Sequence, residues 1–464
     1  MNILITDPVD KQCIDILNAE GFSVYYRPGL SYEEFLKVIV DVDALIVRGQ
    51  TKVTAEVLET GKNLKVVGRA GAGVDNIDVE AATRRGVIVM NTPGGNTIST
   101  AEHTMSMMLA LARNIPQAFE SLRENMWERS KFIGTELYGK TLGIIGLGKV
   151  GTEVARRALA FEMKVIAYDP LLSQESGQKI GVEIVQLDDL YERSDVISIH
   201  SPLTSETKGM IGQKALSKCK RGVKIINCAR GEILDETALL EALEEGRVGG
   251  AALDVFTIEP PTGSPLLLHP NVIATPHLGA STEEAQEKVA IQIAHQIADA
   301  LKERGVVGSV NADIIQLAIR KEIRPYLLLA EKLGRLLAQL MEGKLKTVTV
   351  GVTGEFLRES LTLLSSAVLK GIFEKVLFEP VNYINAPVIA RERGIAVQLH
   401  QEDEHELYSH VLSVKYETDK ESRQFDGTVF GNRDIRIISI DGFILRSSPK
   451  VISCSIRTST ARGC

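Results

Sequence analysis

Cysteine is scarce in this chain, and the five cysteines among its 464 residues are scattered. No two of them form a C-x-x-C pair. Disulfide-stapled scaffolds and zinc sites both need paired or closely spaced cysteines, so neither class is expected, and no other motif predicts a metal. This cysteine usage favours a reducing compartment, the cytoplasm.

Excess positive charge and long apolar runs are also missing. The formal net charge is −7 at pH 7, which argues against a nucleic-acid partner because phosphate backbones require a basic face. No apolar run approaches the ~20 residues that cross a bilayer. The opening residues MNILITDPVD lack the basic region of a secretory signal. The composition therefore predicts a soluble globular chain, and its length predicts roughly three domains.

What the chain does contain is a series of short apolar runs separated by amphipathic stretches. Runs of this length are typical of parallel strands that are covered on both faces. A glycine-rich fingerprint begins afresh at Leu142, so we expect two such sheets, followed by an α+β domain. The ten runs occupy residues 1–6, 43–48, 64–68, 86–90, 142–146, 164–168, 195–199, 223–227, 249–255 and 271–275.

The predicted domains follow from breaks in this pattern. A helical pattern at 283–305 predicts a return crossover, which makes the first domain discontinuous. Alternating strands on either side of Gly431-Asn432 predict a hairpin over 425–443. The predicted domains are 1–98 with 281–310, then 99–280, then 311–443.

The strongest local motif is G-x-G-x-x-G, formed by Gly146, Gly148 and Gly151 after one run and at the start of a helical pattern. The first glycine permits a tight turn, the second lets the backbone approach a pyrophosphate, and the third lets the helix pack closely. The helix N-terminus offers N–H groups to the phosphates. Asp169 follows the next run and can accept from both ribose hydroxyls while repelling a 2′-phosphate. The pattern predicts a site for NAD rather than NADP.

Three polar residues of different chemistry follow successive runs: Arg230, Glu259 and His277. The carboxyl ends of parallel strands meet at one edge of a sheet, where ligands bind. An imidazole there can act as a general base, and a carboxylate can orient it and raise its pKa. A guanidinium can bind a substrate carboxylate through two bonds. These parts predict oxidation of a 2-hydroxy acid by hydride transfer.

A second anion site is predicted in the first domain. Arg48 and Arg69 follow neighbouring runs, and the turn Gly71-Ala72-Gly73 offers backbone N–H groups that can surround an oxyanion. Arginine suits a phosphate because its guanidinium binds two oxygens at once. These residues form a candidate site for a second anionic group of the substrate.

Several segments together resemble the D-isomer-specific 2-hydroxyacid dehydrogenases. They are 68–96, 134–151, 226–236, 251–261 and 275–286. The resemblance implies a flavodoxin-like substrate domain, a Rossmann NAD domain and a smaller α+β domain. It implies that Arg230, Glu259 and His277 are catalytic, with His277 the proton acceptor in oxidation. It also implies NAD contacts from Ala72, Lys149, Val150, Asp169, Ser201, Cys228, Ala229, Arg230, Asp254, His277, Leu278, Gly279 and Ala280.

The same resemblance indicates a substrate and an assembly. Segments 385–395 and 425–443 are similar to an intervening domain in the members that oxidise 3-phospho-D-glycerate to 3-phosphohydroxypyruvate, the first step towards L-serine. It supports substrate contacts from Arg48, with Asn96 near by. Arg129 lies in a region that reaches a neighbouring subunit in relatives, so a homodimer or homotetramer is expected.

Two other functions stay open at this stage. A glyoxylate or hydroxypyruvate reductase of the same family would need neither the arginine pair of the first domain nor a third domain. A dinucleotide-sensing corepressor of the same architecture would bind peptide motifs on its first domain. From Ile444 the pattern predicts neither helix nor strand, so residues 444–464 are expected to be an unpacked tail, without a sensing module of the ACT type.

Overall fold

The computed structural model describes residues 1–312, 320–374, 376–377, 380–402, 404–405, 407–431 and 434–445. The chain divides into two compact units. One is formed by Met1–Thr92 with Ala290–Cys464, and the other by Pro93–Val289. The domain boundaries named above stay predictions. The predicted tail begins too early, because Phe443–Ile444 forms a short edge strand and Leu445 N donates to the carbonyl oxygen of Ile438 at 2.7 Å. The rest of that tail, residues 446–464, lies outside the described residues.

The first unit begins with a five-stranded parallel sheet in the order β2-β1-β3-β4-β5. Its central strands are buried because helices cover both faces. The predicted runs at 1–6, 43–48, 64–68 and 86–90 each overlap one strand. The strands are Asn2–Ile5, Ser23–Tyr26, Ala44–Val47, Val66–Arg69 and Ile88–Met90, and helices α1 to α4 are Lys11–Ala19, Tyr32–Val38, Ala55–Thr60 and Val79–Arg85.

The second unit contains a seven-stranded parallel sheet in the order β12-β11-β10-β9-β6-β7-β8. Strands β7 and β8 are added on one side of β6, and β9 to β12 are then added on its other side. At such a switch point the loops after two neighbouring strands diverge and leave a crevice. Strands β6 to β12 are Thr141–Ile145, Lys164–Tyr168, Glu183–Ile184, Val196–Ile199, Val223–Asn227, Val248–Leu253 and Val272–Ala274. Helices α5 to α11 are Thr97–Arg113, Ile115–Arg123, Lys149–Ala160, Gln174–Gln178, Leu187–Arg193, Gln213–Lys218 and Glu236–Glu244.

The chain returns to the first sheet after the second unit. Helix α12 (Glu283–Leu301) buries Ile293 and Ile297, which lie against Gly68 of β4. Beyond the helix, the side chain of Asn311 accepts a hydrogen bond from Val89 N at 2.9 Å and ties the chain to β5. The return crossover that the helical pattern predicts is therefore present.

The remainder of the first unit is an α+β fold with a six-stranded mixed sheet in the order β14-β13-β15-β16-β17-β18. The predicted hairpin is confirmed, since β16 pairs antiparallel with β17, although Asn432 lies outside the described residues. No helix in the described ranges is long and apolar enough to span a bilayer. Strands β13 to β18 are Leu345–Thr353, Ala396–Glu402, Val411–Thr418, Ser422–Phe430, Asp434–Ile440 and Phe443–Ile444, and helices α13 to α16 are Arg324–Leu340, Glu355–Arg358, Leu361–Phe373 and Ala386–Glu392.

Candidate active site

The glycine-rich turn between β6 and α7 is shaped by three different constraints. Gly146 has a φ of +90°, and a Cβ there would also meet the backbone of His200 and Ser201 at 2.8 Å. A Cβ at Gly151 would overlap the carbonyl oxygen of Gly146, because α7 packs directly on the turn. Gly148 is different, since no atom of the described residues lies within 4 Å of a Cβ built there. That open position at the start of α7 leaves room for a pyrophosphate to approach the backbone.

Asp169 lies directly after β7 and is tied to the same turn. One carboxylate oxygen accepts a hydrogen bond from Leu147 N at 2.9 Å, and the other accepts from Leu171 N at 2.9 Å. Each oxygen has a further lone pair with which to accept a ribose hydroxyl. The neighbouring loop after β9 adds an unsatisfied group: Ser201 Oγ is buried and has no hydrogen-bond partner among the described residues. A bound polar ligand would supply that partner.

Asp254, directly after β11, organises the loop that follows β12. Its side chain is 1% exposed. Its carboxylate accepts hydrogen bonds from Thr275 Oγ1 at 2.7 Å, Leu278 N at 2.7 Å and Gly279 N at 2.8 Å. Burial raises the pKa of Asp254, but these bonds and a nearby His103 outweigh burial and lower it below its ordinary value. Asp254 is therefore an ionised anchor for the residues on either side of His277.

His277 and Glu259 form the central pair of this edge. His277 Nδ1 lies 2.8 Å from Glu259 Oε2, and Glu259 Oε1 accepts from Phe256 N at 3.1 Å. The His277 backbone has a φ of +56°, a conformation that non-glycine residues rarely adopt. It is held there by the bond from its N–H to the carbonyl of Asp254 at 2.9 Å. Within the described part of the chain, no hydrogen bond to His277 Nε2 is found.

The two members of this pair shift each other's protonation in opposite directions. The hydrogen bond to Glu259 raises the pKa of His277 above 6.5, with burial opposing it. Burial raises the pKa of Glu259, but the hydrogen bond and charge of His277 outweigh burial and lower it. Both shifts favour an imidazolium beside a carboxylate. When His277 is neutral it accepts a proton readily, because Glu259 stabilises the imidazolium that the transfer produces.

Arg230 lies in the loop after β10, at the same carboxyl edge as Glu259 and His277. Asn227 holds this loop: its side chain accepts from Ala229 N at 3.0 Å and donates to the carbonyl oxygen of Arg230 at 2.9 Å. The guanidinium donates to the carbonyl oxygen of Ala229 at 2.7 Å. Arg230 is also one of the groups whose charge acts on His277, where it lowers the pKa. The order of the strands thus places the three predicted catalytic residues after β10, β11 and β12.

Two other groups at this edge are poorly suited to catalysis, because one is a neutral thiol and the other is a weakened base. Burial raises the pKa of the Cys228 thiol to about 12, so it is not a thiolate nucleophile at neutral pH. Burial lowers the pKa of His200 to about 4, and its Nε2 lies 2.8 Å from Ser198 Oγ. Both residues are therefore neutral wall groups of the crevice.

Helix α5 contributes polar residues that the sequence does not predict as part of the site. Ser99 Oγ and Thr100 Oγ1 both donate to the carbonyl oxygen of Gly279, at 2.7 and 3.1 Å. His103 Nε2 lies 3.1 Å from both Asp254 Oδ1 and Thr275 Oγ1. Residues 99, 100 and 103 share one helical face, and that spacing is the signal that could have identified them.

The predicted phosphate residues lie in the first unit, around a buried carboxylate. Asp7, 1% exposed, accepts from Arg48 N at 2.6 Å and from Thr51 N at 3.1 Å, and so fixes the loop after β3. The Arg69 guanidinium donates to the carbonyl oxygens of Arg48 at 3.1 Å and Gly73 at 2.5 Å. Arg69 therefore holds its own loop together, whereas the Arg48 side chain makes one long bond, to the carbonyl oxygen of Pro8 at 3.3 Å.

The other predicted contact residues are distributed over both units. Asn96 is the N-cap of α5 and makes no side-chain capping bond. Arg129 begins a single turn of 3-10 helix next to Trp127, which is 77% exposed. Lys149 Nζ donates to the carbonyl oxygen of Pro93 at 3.4 Å. Of the remaining residues, Gly71, Ala72 and Gly73 lie in the first unit, and Val150, Leu278 and Ala280 lie in the second.

Comparison with known proteins agrees with this geometry. The NAD binding domain of D-isomer specific 2-hydroxyacid dehydrogenases matches residues 105–279. The intervening domain of D-3-phosphoglycerate dehydrogenase matches residues 322–441. The chain is 45% identical to the D-3-phosphoglycerate dehydrogenase of Archaeoglobus fulgidus over 451 residues, which covers 97% of this chain and 85% of that one. The chain belongs to the D-3-phosphoglycerate dehydrogenases, within the D-isomer specific 2-hydroxyacid dehydrogenase family.

Another D-3-phosphoglycerate dehydrogenase, from Methanocaldococcus jannaschii, is 44% identical over 98% of this chain and 87% of its own length. Among solved structures, D-lactate dehydrogenase from Aquifex aeolicus, complexed with NAD and lactic acid, aligns with a TM-score of 0.58 at 29% identity. That alignment covers 66% of this chain and 96% of the other. The predicted α/β fold and the NAD binding domain are confirmed.

Proposed function

We propose that this chain oxidises 3-phospho-D-glycerate to 3-phosphohydroxypyruvate with NAD as the acceptor. The observation that carries the proposal is the His277–Glu259 pair, in which Nδ1 and Oε2 are 2.8 Å apart. The pair lies at the carboxyl edge of the sheet that also contains the open glycine-rich turn. The substrate is taken from the relatives, which are named D-3-phosphoglycerate dehydrogenase, and from the match to their intervening domain. That domain also favours this substrate over the glyoxylate or hydroxypyruvate of the rival reductase.

The chain's own residues supply three parts of the reaction. His277 Nε2 accepts the proton of the substrate hydroxyl, and Glu259 stabilises the imidazolium that results. Arg230 binds the substrate carboxylate and the developing carbonyl oxygen through its guanidinium. The nicotinamide, when bound, accepts the hydrogen of the same carbon together with its electron pair. Gly148 is proposed to lie against the pyrophosphate, and Asp169 is proposed to bind the ribose. Ser201 is proposed to bind another polar group of the dinucleotide.

The proposed function is tested by following NADH formation on mixing the purified chain with NAD and 3-phospho-D-glycerate. Mass spectrometry of the product should find a species lighter than the substrate by two hydrogens. NADH formation with D-glycerate and D-lactate should be much slower. If glyoxylate or hydroxypyruvate is reduced efficiently while phosphoglycerate is not oxidised, the rival reductase is the correct function.

Replacing Asp169 by Ala is expected to weaken the binding of NAD and to reduce the preference for NAD over NADP. The carboxylate is the group proposed to accept from the ribose hydroxyls, and a charge-assisted bond is worth about 1.5–3 kcal/mol, or roughly 10- to 100-fold in KM. Kinetics with both cofactors measure the change. Asp189→Ala, an exposed acid on α9, is the matched control and should leave both values unchanged. An unaltered NAD/NADP preference in the Asp169 variant would place the ribose contact elsewhere.

Replacing Arg48 by Ala is expected to lower kcat/KM for 3-phosphoglycerate by roughly 10- to 100-fold, the worth of one charge-assisted phosphate contact. D-glycerate lacks the phosphate, so its kcat/KM should change only a few-fold. The backbone N–H and carbonyl of Arg48, which hold the loop, are kept in this variant. Arg69→Ala is the contrast, because it removes bonds within the loop and should impair both substrates alike. Equal losses for Arg48→Ala on both substrates would make Arg48 structural as well.

Assembly and location are further parts of the proposal. Exposed apolar side chains on and after α6, including Phe119 at 61% and Trp127 at 77%, support association into a homodimer or homotetramer. Arg129 is proposed to act near that surface. Three cysteines, Cys13, Cys219 and Cys228, are buried and free, which supports a cytoplasmic location.

A further inference from the structure

A cavity of about 900 Å³ lies in the first unit, between the amino-terminal sheet and the α+β part. One wall comes from β4, β5 and the C-terminal end of α4. The opposite wall comes from α13, α15 and residues 380–384. Small-molecule sites typically enclose roughly 300–1,000 Å³. The cavity is therefore large enough for an organic metabolite, and it contains none of the residues proposed for NAD or for 3-phosphoglycerate.

The charged groups around this cavity are unbalanced in favour of cations. Five Lys and Arg side chains line it, against three carboxylates. Two of the carboxylates are already paired, Asp43 with Lys65 at 3.2 Å and Glu331 with Lys370 at 2.8 Å. Four of the eight charged side chains therefore remain, and no ion pair is found for them within the described ranges. They are Lys62, Arg85, Arg324 and Glu303. Three cations to one acid attract an anionic ligand.

Arg85 is the least satisfied of these cations. Its Nε is buried and has no hydrogen-bond partner in the described part of the chain. A shielded guanidinium N–H without an acceptor is unfavourable, because it has lost its water without gaining a replacement. A carboxylate or phosphate oxygen in the cavity would supply that acceptor through a charge-assisted bond.

The rest of the cavity surface is largely apolar. Leu328, which is 47% exposed, lines it together with the side chains of Leu64, Val87, Leu301 and Leu327. Inorganic phosphate would satisfy the cations but would leave this surface in contact with water. A ligand with an apolar body and one anionic group covers both parts.

The walls are held in place without a ligand. Helix α4 ends at Gly86, whose φ is +71° and whose carbonyl oxygen accepts from Asn382 Nδ2 at 2.7 Å. Asn385 Nδ2 donates to the carbonyl oxygen of Arg84 at 3.3 Å, and Arg84 Nε lies 3.3 Å from Glu392. Arg85 lies between these two backbone contacts. A site whose walls are already fixed loses little entropy when it binds.

We propose that this cavity binds a small organic anion, a carboxylate or phosphate monoester with an apolar body, whose anionic group contacts Arg85. The site is separate from the proposed dehydrogenase chemistry. A ligand bound there would contact both α4, which follows the loop with Gly71 and Gly73, and the α+β part of the chain.

Calorimetric titration of the full chain with phenyl phosphate and with benzoate tests this inference. At least one of the two anions should bind with a stoichiometry of one, and benzyl alcohol, which has no charge, should bind at least tenfold more weakly. Arg85→Met keeps the apolar bulk of the side chain and removes the guanidinium, so it should weaken the binding of the anion by roughly 10- to 100-fold. Lys37→Met, an exposed cation of α2 in the same unit, is the matched control and should bind as the parent does.

Competing sites and folding defects are separated by further variants. Arg48→Ala should retain the anion, because the predicted substrate site is a different one. Arg324→Met, at an exposed position, repeats the test should Arg85→Met unfold at a lower temperature than the parent. NADH formation by Arg85→Met should keep its kcat/KM, so the outcome does not depend on the proposed function. The inference is overturned if neither anion binds, if benzyl alcohol binds as well as they do, or if binding is lost with Arg48→Ala and kept with Arg85→Met.

Discussion

Replacing His277 by Asn is expected to lower kcat for 3-phosphoglycerate oxidation by roughly 10²–10⁴-fold, the usual contribution of a positioned general base. Asparagine cannot accept the hydroxyl proton at neutral pH. It is also the residue best suited to the backbone of this position, since it tolerates the left-handed conformation that His277 adopts at a φ of +56°. The loss should therefore report on chemistry rather than on folding.

Three controls keep that result interpretable. NAD affinity, measured by fluorescence titration, should stay within a few-fold of the parent, because the glycine-rich turn is untouched. The midpoint of thermal unfolding should change little. His295→Asn, an exposed histidine of α12, should retain full activity. A His277→Asn variant that also works within a few-fold of the parent would remove His277 from the mechanism.

Replacing Glu259 by Gln is expected to have the second largest effect, a fall in kcat of roughly 10²–10³-fold together with a change in pH dependence. The reaction needs a neutral His277, so the rate of oxidation rises with pH through the pKa of that residue. In the parent this pKa lies above 6.5, because Glu259 raises it. Without the carboxylate the largest raising interaction is lost, burial and the charge of Arg230 still lower the pKa of His277, and the acid limb moves to lower pH.

The pH profile of kcat/KM separates this role from a structural one. A carboxylate that only held the loop would lower the rate at every pH and leave the limb in place. Glu259→Asp should restore part of the rate, and its acid limb should lie at a higher pH than that of the Gln variant. A limb that stays fixed in both variants would contradict the pairing of His277 with Glu259.

The fold could be predicted where strands are continuous apolar runs, because these are buried on both faces of a parallel sheet. Strand β2 escaped prediction since it is an edge strand whose Tyr25 and Tyr26 are 48% and 42% exposed. Strand β8 has only two residues. In the α+β part, apolar residues at helical spacing over 327–340 predict a helix, and these residues lie within α13. The β-branched residues of 346–356 predict a strand over that range, but β13 ends at Thr353 because Gly354 takes a φ of +94° and α14 begins at Glu355.

The site could be predicted where its chemistry is local to a strand end. The glycine fingerprint and the positions of Arg230, Glu259 and His277 depend only on residues near in sequence. The role of Asp7 has no local signal, because it holds a loop more than forty residues away through bonds from Arg48 N and Thr51 N. Such a contact depends on which strands become neighbours, and that is decided by the packing of the whole sheet.

The most direct test of the central claim is the fate of the hydrogen on C2 of the substrate. With 3-phospho-D-glycerate deuterated at C2, one deuterium per turnover should appear in the reduced nicotinamide. The hydroxyl proton should instead pass to His277 and reach the solvent. Mass spectrometry of the isolated NADH gives the answer. Full retention of deuterium on the nicotinamide is the result predicted, and NADH without deuterium, or no NADH at all, would contradict the account.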